Sequence, residues 1–216
     1  MSRKPDPALR VRILEEAEHL MHLRGYNGTS LDEIALRCKM TKSNLIHHFH
    51  SKEDLGLAVM DFKIDCYKAA FEKTLSGCSG PERAVAELFE RAARFQRGNG
   101  CRAGCLVGNM ALEMSDINER FRERAGRFFS GWAKALEGQM RGLKERGCYP
   151  PSFDPRSSAE AVLSLYEGSI MLARARRDPS IIARVAKVAR RLVGPIWTEK
   201  KKKTEESMGP KTPCGC

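Results

Sequence analysis

The sequence predicts an all-α protein in which a small N-terminal bundle of three helices precedes a larger helical domain. Three observations predict this fold. Every strongly periodic segment repeats its apolar residues with helical spacing, and no segment alternates like a strand. Signals for the start of a helix follow one another closely in the first quarter of the chain. Only Lys39 and Met40 separate the second predicted helix from the third.

Each N-terminal helix is predicted from a capping residue followed by an apolar face. Asp6 is the predicted cap of the first helix, and Pro7 occupies its first turn. The capping box Ser30-Leu-Asp-Glu33 begins a short second helix. Thr41 caps the third helix, and the segment Ser51-Lys-Glu-Asp54 caps a longer fourth helix.

The C-terminal helices are predicted in the same way. Their predicted starts are Pro81, about residue 105, Asp116, Ser157 or Ser158, and Pro179. Residues 198–216 contain Lys, Glu, Gly and Pro without a core-forming pattern, so we predict a disordered basic tail there. The sequence therefore predicts an N-terminal domain of residues 1–55, a helical C-terminal domain of residues 56–197 and a tail of residues 198–216.

The composition excludes several classes of protein. The chain has 216 residues, of which 42% are hydrophobic and 30% charged, as in ordinary globular proteins. No apolar run reaches the roughly 18 residues that a membrane span needs. Without an export signal, the eight cysteines are expected to be reduced thiols, which predicts a cytoplasmic protein. The net charge of +11 does not locate a DNA-binding surface, because acidic and basic residues balance in the N-terminal part.

The second and third helices, joined by a tight turn, have the order of a helix-turn-helix motif, whose second helix lies in the major groove of DNA. Leu45 and Phe49 are spaced to anchor the third helix inward. Lys52, at the start of the fourth helix, is placed to bind a phosphate together with free backbone N–H groups. The polar residues predicted to point outward from the third helix are Lys42, Ser43, Asn44, His47 and His48.

A set of residues in fixed order extends this motif over residues 11–60. The set comprises Ile13–Ala17, Gly25-Tyr26, Thr29-Ser30, Ile34-Ala35, Thr41–Leu45, His47–Phe49 and Ser51–Leu55. It resembles the N-terminal domain of TetR-type transcriptional repressors. In such repressors Gly is usual where Lys39 stands here, and an aromatic residue is usual where Ile46 stands, so the operator sequence stays open.

The resemblance implies a function and a set of contacts. It implies a double-stranded palindromic DNA operator, a small-molecule effector bound in the C-terminal half, a homodimer formed through the last two helices, and no cofactor. The DNA-binding residues that it implies are Thr29, Thr41, Lys42, Ser43, Asn44, His47, His48 and Lys52.

The segment Gly104–Glu113 resembles TetR-type repressors that respond to acrylate or to electrophiles such as N-ethylmaleimide. The predicted position of Cys105 at a helix N-terminus and the nearby Arg102 both favour a thiolate, for which Cys101 is spaced to act as a resolving partner. The alternative is that Cys105 is a small buried residue. The candidate effector-sensing residues are Cys105, Cys101, Met110, Phe128 and Trp132.

Several of these residues also have other interpretations. His47, His48 and His50 form no metal site, since neighbouring helical positions diverge by about 100° and no further ligand is suitably spaced. Thr41 and Ser51 can act as helix caps alone. The alternatives to a ligand- or electrophile-responsive repressor are a cysteine-dependent enzyme and a helical protein-interaction module. All five histidines precede residue 51, far in sequence from Cys101 and Cys105, so the sequence predicts no enzyme.

Overall fold

The structure is a computed structural model that describes residues 7–77 and 80–194, without the side chains of residues 75–77. The predicted cap Asp6 and the predicted tail 198–216 lie outside the described residues. The described part of the chain contains nine helices and no strand, which confirms the predicted all-α class. None of these nine helices is long and apolar enough to cross a membrane.

The helices follow one another with short connections. They are α1 (Pro7–Arg24), α2 (Leu31–Arg37), α3 (Lys42–Phe49), α4 (Lys52–Gly77), α5 (Pro81–Gly98), α6 (Leu106–Met114), α7 (Glu119–Glu145), α8 (Pro155–Arg176) and α9 (Ser180–Val193).

The caps predicted for α2 and α3 are present. The Ser30 hydroxyl accepts a hydrogen bond from the backbone N–H of Glu33, and the Glu33 carboxylate accepts one from the N–H of Ser30. Thr41 Oγ1 accepts from the N–H of Asn44 at 3.2 Å. Between these two helices Lys39 adopts φ 54°, in the left-handed region where glycine is favoured. The tight turn therefore forms at a conformational cost of about 1 kcal/mol.

Two predicted helix starts were wrong. α7 begins after Asn118, whose side chain accepts from the N–H groups of Arg120 and Phe121, and not at Asp116. α8 begins after Asp154, which accepts from the N–H of Arg156 at 3.0 Å. Pro155 presets the first turn of α8, and the predicted cap Ser157 donates its hydroxyl to Asp154.

Two hydrophobic clusters form the core, and they do not follow the predicted domain boundary. The first cluster joins α1–α4 to α6 and to the beginning of α7, whereas the second joins α5, the end of α7, α8 and α9. The predicted boundary between residues 55 and 56 falls inside α4, where Leu55 and Val59 pack in the same cluster. α6 is thus part of the N-terminal core, although it lies far along the chain.

Candidate nucleic-acid interface and ligand cavity

The third helix has one buried and one exposed face. Leu45 and Phe49 are buried in the N-terminal cluster, as their spacing predicts. The guanidinium of Arg10 lies 4.2 Å from the centre of the Phe49 ring and donates to the carbonyl of His48, which fixes α3 against α1. Lys42, Ser43, Asn44 and His47 are exposed, and His48 is half-buried. The exposed face is therefore free for the major groove, and its contacts with bases stay a prediction.

An exposed ion pair between Lys42 and Asp32 lies at the N-terminus of α3. Lys42 Nζ donates to Asp32 Oδ2 at 2.9 Å, and both side chains are at least half exposed. Such exposed ion pairs contribute little stability, so a phosphate can replace Asp32 as the partner of Lys42. Thr41 is exposed beside it, with its hydroxyl already serving as the cap of α3.

A shallow depression lies where the α1–α2 turn meets α3 and α4. It is lined by residues 27–32 together with Lys42 and Lys52. Lys52 Nζ lies 3.4 Å from the carbonyl oxygen of Asn27 and 4.7 Å from the centre of the Tyr26 ring. Burial lowers the pKa of Lys52, and the charge of Glu113 opposes that shift. The two lysines make this depression suitable for a phosphate group.

The Thr29 side chain has a structural role at the end of α1. Thr29 is buried, and its hydroxyl donates to the carbonyl of Gly25 at 2.8 Å. Thr29 is also part of the lining of the depression, and its contact with a phosphate stays a prediction.

Glu113, in the last turn of α6, binds the backbone of the turn between α1 and α2. Its Oε1 accepts from the backbone N–H of Tyr26 at 3.1 Å, and its Oε2 accepts from that of Asn27 at 2.9 Å. Gly25 has φ 81°, and a Cβ there would lie only 2.2 Å from Glu113 Oε1. Glycine is thus required both for the backbone conformation and for the approach of the carboxylate. Sequence reasoning missed Glu113, because 87 residues separate it from Tyr26.

A cavity of about 250 Å³ lies at the other end of α6, enclosed by α4, α5, α7 and α8. Among the predicted sensing residues, Cys105, Phe128 and Trp132 line it. Cys101 is buried in the turn after α5, where its carbonyl accepts from Arg177, and it is not part of the lining. The aromatic side chains of the lining are Tyr67, Phe71, Phe95, Phe128, Trp132 and Tyr166.

Met110 does not line the cavity, contrary to the prediction. It is buried in the N-terminal cluster, on the part of α6 that packs against the helix-turn-helix region. The pattern of apolar residues along α6 could not distinguish the two surroundings, because both are apolar.

The structure favours the alternative in which Cys105 is a small buried residue. Its Sγ does cap α6 by accepting from the N–H of Gly108 at 3.4 Å. Burial, followed by the adjacent Glu167 carboxyl, raises the pKa of the thiol well above its usual value. Arg102 is exposed and does not compensate. The desolvation of an anion therefore outweighs the favourable helix N-terminus, and Cys105 is a neutral buried thiol.

Glu167 is a second residue that the sequence analysis did not single out. Burial raises its pKa to about 7, and its hydrogen bond with Cys105 opposes that shift. The available signal was a carboxylate in the middle of a mostly apolar helix.

A buried polar cluster connects α1 to the wall of the cavity. His22 Nδ1 lies 3.0 Å from Glu18 Oε1, and its Nε2 contacts the carbonyl of Gly104. Lys63, which lines the cavity, lies 2.8 Å from the same Glu18 oxygen. The burial of Glu18 acts to raise its pKa, but the hydrogen bonds from His22 and Lys63 outweigh it and lower the pKa to about 2.

Comparison with known proteins assigns the chain to a family. Residues 13–59 match the model for bacterial regulatory proteins of the tetR family. Residues 81–188 match the model for the C-terminal domain of LmrA/YxaF-like transcriptional regulators. The chain belongs to the TetR family.

Individual relatives agree with this assignment. The TetR-family chain is 30% identical over 179 residues to the transcriptional regulator AcuR of Cereibacter sphaeroides, and the match covers 81% of each protein. It is 22% identical to the transcriptional repressor NemR of Escherichia coli K12, over 82% of this chain and 90% of NemR. A crystal structure of a TetR transcriptional regulator from Legionella pneumophila shares 25% identity with a TM-score of 0.75, covering 89% of this chain and all of that one.

As a member of the TetR family, the protein is a ligand-responsive DNA-binding transcriptional regulator. The predicted resemblance is confirmed. Since the relatives are transcriptional regulators, neither the cysteine-dependent enzyme nor the interaction module is favoured. Among the described residues, no group of three or more His, Cys, Asp or Glu side chains is arranged to hold a metal ion.

Proposed function

We propose that this TetR-family protein is a homodimeric repressor that binds a palindromic operator and leaves it when a small molecule occupies the cavity. The observation that carries the proposal is the position of α6. The cap of this helix, Cys105, lies in the cavity wall, and Glu113 in its last turn accepts hydrogen bonds from the backbone of the turn between α1 and α2. A shift of α6 on ligand binding therefore reaches the DNA-binding surface directly.

Each half of the dimer would place α3 in the major groove. Asn44 and Lys42, on its exposed N-terminal turn, would read base edges, and Ser43, His47 and His48 would contact the groove or the backbone. Lys42 and Lys52 flank the phosphate depression. Release would follow reversible binding in the cavity, because the neutral buried thiol of Cys105 is poorly suited to covalent sensing.

The dimer interface would form from the outer faces of α8 and α9. Exposed apolar side chains lie along both helices, with Met171 59% exposed on α8 and Val188 50% exposed on α9. Ile181, near the start of α9, is only 5% exposed and packs within its own protomer. The proposed contact is therefore centred on Val188 and Leu192, with Met171 opposite.

Two substitutions test the DNA-binding surface. Asn44→Ala is expected to weaken operator binding by about 1–3 kcal/mol and to relax base preference, because it removes a bidentate base contact. Lys52→Met is expected to weaken binding to all DNA sequences alike and to reduce the slope of log affinity against log salt by about one unit. Methionine replaces the ammonium group that lies over the Tyr26 ring with an uncharged thioether of similar length, which can pack against the same ring.

Both variants are measured by fluorescence anisotropy on operator and scrambled DNA at several salt concentrations. Arg127→Ala serves as the control, since Arg127 is an exposed residue of α7 paired only with Glu123 among the ion pairs of the described residues. Unchanged affinity and sequence preference in Asn44→Ala would contradict the proposed position of α3.

Glu113→Ala tests the connection between the two sites. The variant is expected to bind the cavity ligand normally but to lose most of the ligand-induced release, because α6 no longer holds the backbone of Tyr26 and Asn27. Allosteric coupling of about 1–3 kcal/mol would fall towards zero, that is, from about 5- to 150-fold release towards none. Operator affinity is measured with and without ligand.

Glu123→Ala is the matched control, because Glu123 is an exposed glutamate whose partner is a residue of its own helix. Release by ligand that is as strong in Glu113→Ala as in the unaltered protein would show that the signal does not pass through this contact.

A further inference from the structure

Two residues that line the cavity each have a buried polar atom without a hydrogen-bond partner among the described residues. These atoms are Gln96 Oε1 and Trp132 Nε1. Gln96 is 1% exposed, and its Nε2 donates to the carbonyl of Ala103 at 2.6 Å, so its Oε1 is left as an acceptor. The indole N–H of Trp132 can only donate. Since buried polar groups in proteins are nearly always paired, these two atoms point to groups that a ligand supplies.

The walls of the cavity favour a flat ligand of limited size. The rings of Phe71 and Trp132 are stacked, with centroids 4.8 Å apart and planes 10° from parallel. A cavity of about 250 Å³ is smaller than the roughly 300–1,000 Å³ typical of pockets for drug-sized molecules. A single aromatic ring with short substituents fits this space and can pack against the aromatic walls.

The charges around the cavity favour a neutral ligand. Lys63 is already paired with Glu18, and Arg91 is exposed to solvent. Next to the lining residue Cys105 lies the buried carboxyl of Glu167. An anion would lose its hydration without gaining a dedicated buried cation, and it would lie near Glu167 whenever that group is ionised.

We propose that the cavity binds an uncharged single-ring aromatic compound that carries both a hydrogen-bond donor and an acceptor, as a phenolic ketone does. The donor pairs with Gln96 Oε1, and the acceptor pairs with Trp132 Nε1. This assignment rests on the proposed function in one respect, which is that the ligand acts as the effector. Binding of the ligand to the cavity can be measured without DNA.

The test is isothermal titration calorimetry on the full-length protein without DNA. The probes are 3- and 4-hydroxyacetophenone, with 4-methylacetophenone lacking the donor and 4-ethylphenol lacking the acceptor. At least one hydroxyacetophenone is expected to bind about fivefold or more tightly than either of these analogues, because each analogue leaves one buried group unpaired. The anion 4-hydroxybenzoate is expected to bind more weakly still.

Two variants assign the contacts. In Gln96→Met the advantage of hydroxyacetophenone over 4-methylacetophenone is expected to disappear, and in Trp132→Phe its advantage over 4-ethylphenol is expected to disappear. Circular dichroism checks that both variants are folded. If one of them does not fold, the comparison of ligands on the unaltered protein still tests the proposal.

The proposal would be overturned if all the ketones and phenols bound equally tightly or if none of them bound. If 4-hydroxybenzoate bound more tightly than the hydroxyacetophenones, the ligand would not belong to an uncharged class. A ligand that binds as expected but does not release operator DNA would leave the ligand class standing and contradict the proposed effector role.

Discussion

Replacement of Val188 and Leu192 by aspartate is expected to yield a monomer that binds a palindromic operator about 100- to 10,000-fold more weakly. The two residues are 50% and 37% exposed in the protomer, so aspartate is tolerated in the monomer but places unpaired charges in the proposed dimer interface. The opposite face of α9 packs in the C-terminal cluster through Ile182, Ala189 and Val193 and is unchanged. A monomer contacts one half-site, so it lacks the additional affinity that a dimer obtains by binding two half-sites about 34 Å apart.

Light scattering gives the oligomeric state, and anisotropy compares DNA with one half-site and with two. Ile117→Asp is the matched control, since Ile117 is an apolar residue 70% exposed at a site remote in sequence from α8 and α9. The double variant should bind a single half-site as well as the unaltered protein does. If light scattering finds a dimer for the double variant, the interface lies elsewhere.

Glu18→Gln is expected to lower the free energy of unfolding by about 3 kcal/mol at pH 7, because the pKa of Glu18 is about 2 in the folded protein and 4.5 as its ordinary value. A carboxylate whose pKa is lowered by folding stabilises the protein at pH values above the pKa that the carboxylate has in the unfolded chain. The contribution of Glu18 is therefore complete above about pH 4.5 and declines as the pH falls from there towards 2. The difference between the two proteins should narrow over this range.

Urea unfolding at one protein concentration measures this difference at pH 7, 4.5 and 3.5. Glu16→Gln is the control on the same helix, because Glu16 forms a partly exposed ion pair with Arg37 and is expected to change stability by less than about 1 kcal/mol. A stability difference that is the same at every pH would mean that the packing of Glu18, and not its charge, accounts for the effect.

Local signals were sufficient to predict most of the fold. The caps Ser30 and Thr41 lie one turn from the groups they bind, so the sequence around them contains the whole interaction. The starts of α7 and α8 were misplaced because several capping residues compete within a few positions. Asn118 follows Asp116 closely, and Asp154 precedes Ser157, so the choice depends on how the preceding loop packs.

The properties of the cavity could not be predicted in the same way. The position of Cys105 at a helix N-terminus was evident, but its protonation depends on burial and on Glu167. The contact between His22 and Gly104 joins residues 82 positions apart, and no local pattern indicates it. The sequence could therefore name several residues of the DNA-binding face and of the cavity, but not the contacts that connect the two.

The contact of Glu113 with main-chain amides has a consequence for how such regulators diversify. The carboxylate binds the N–H groups of Tyr26 and Asn27, which every residue except proline provides, and it requires only that position 25 remain glycine. The side chains on the exposed face of α3 take no part in this contact. New operator specificities can therefore arise by substitution on α3 without rebuilding the response to the ligand, and a transplanted α3 surface should inherit the inducer of its host.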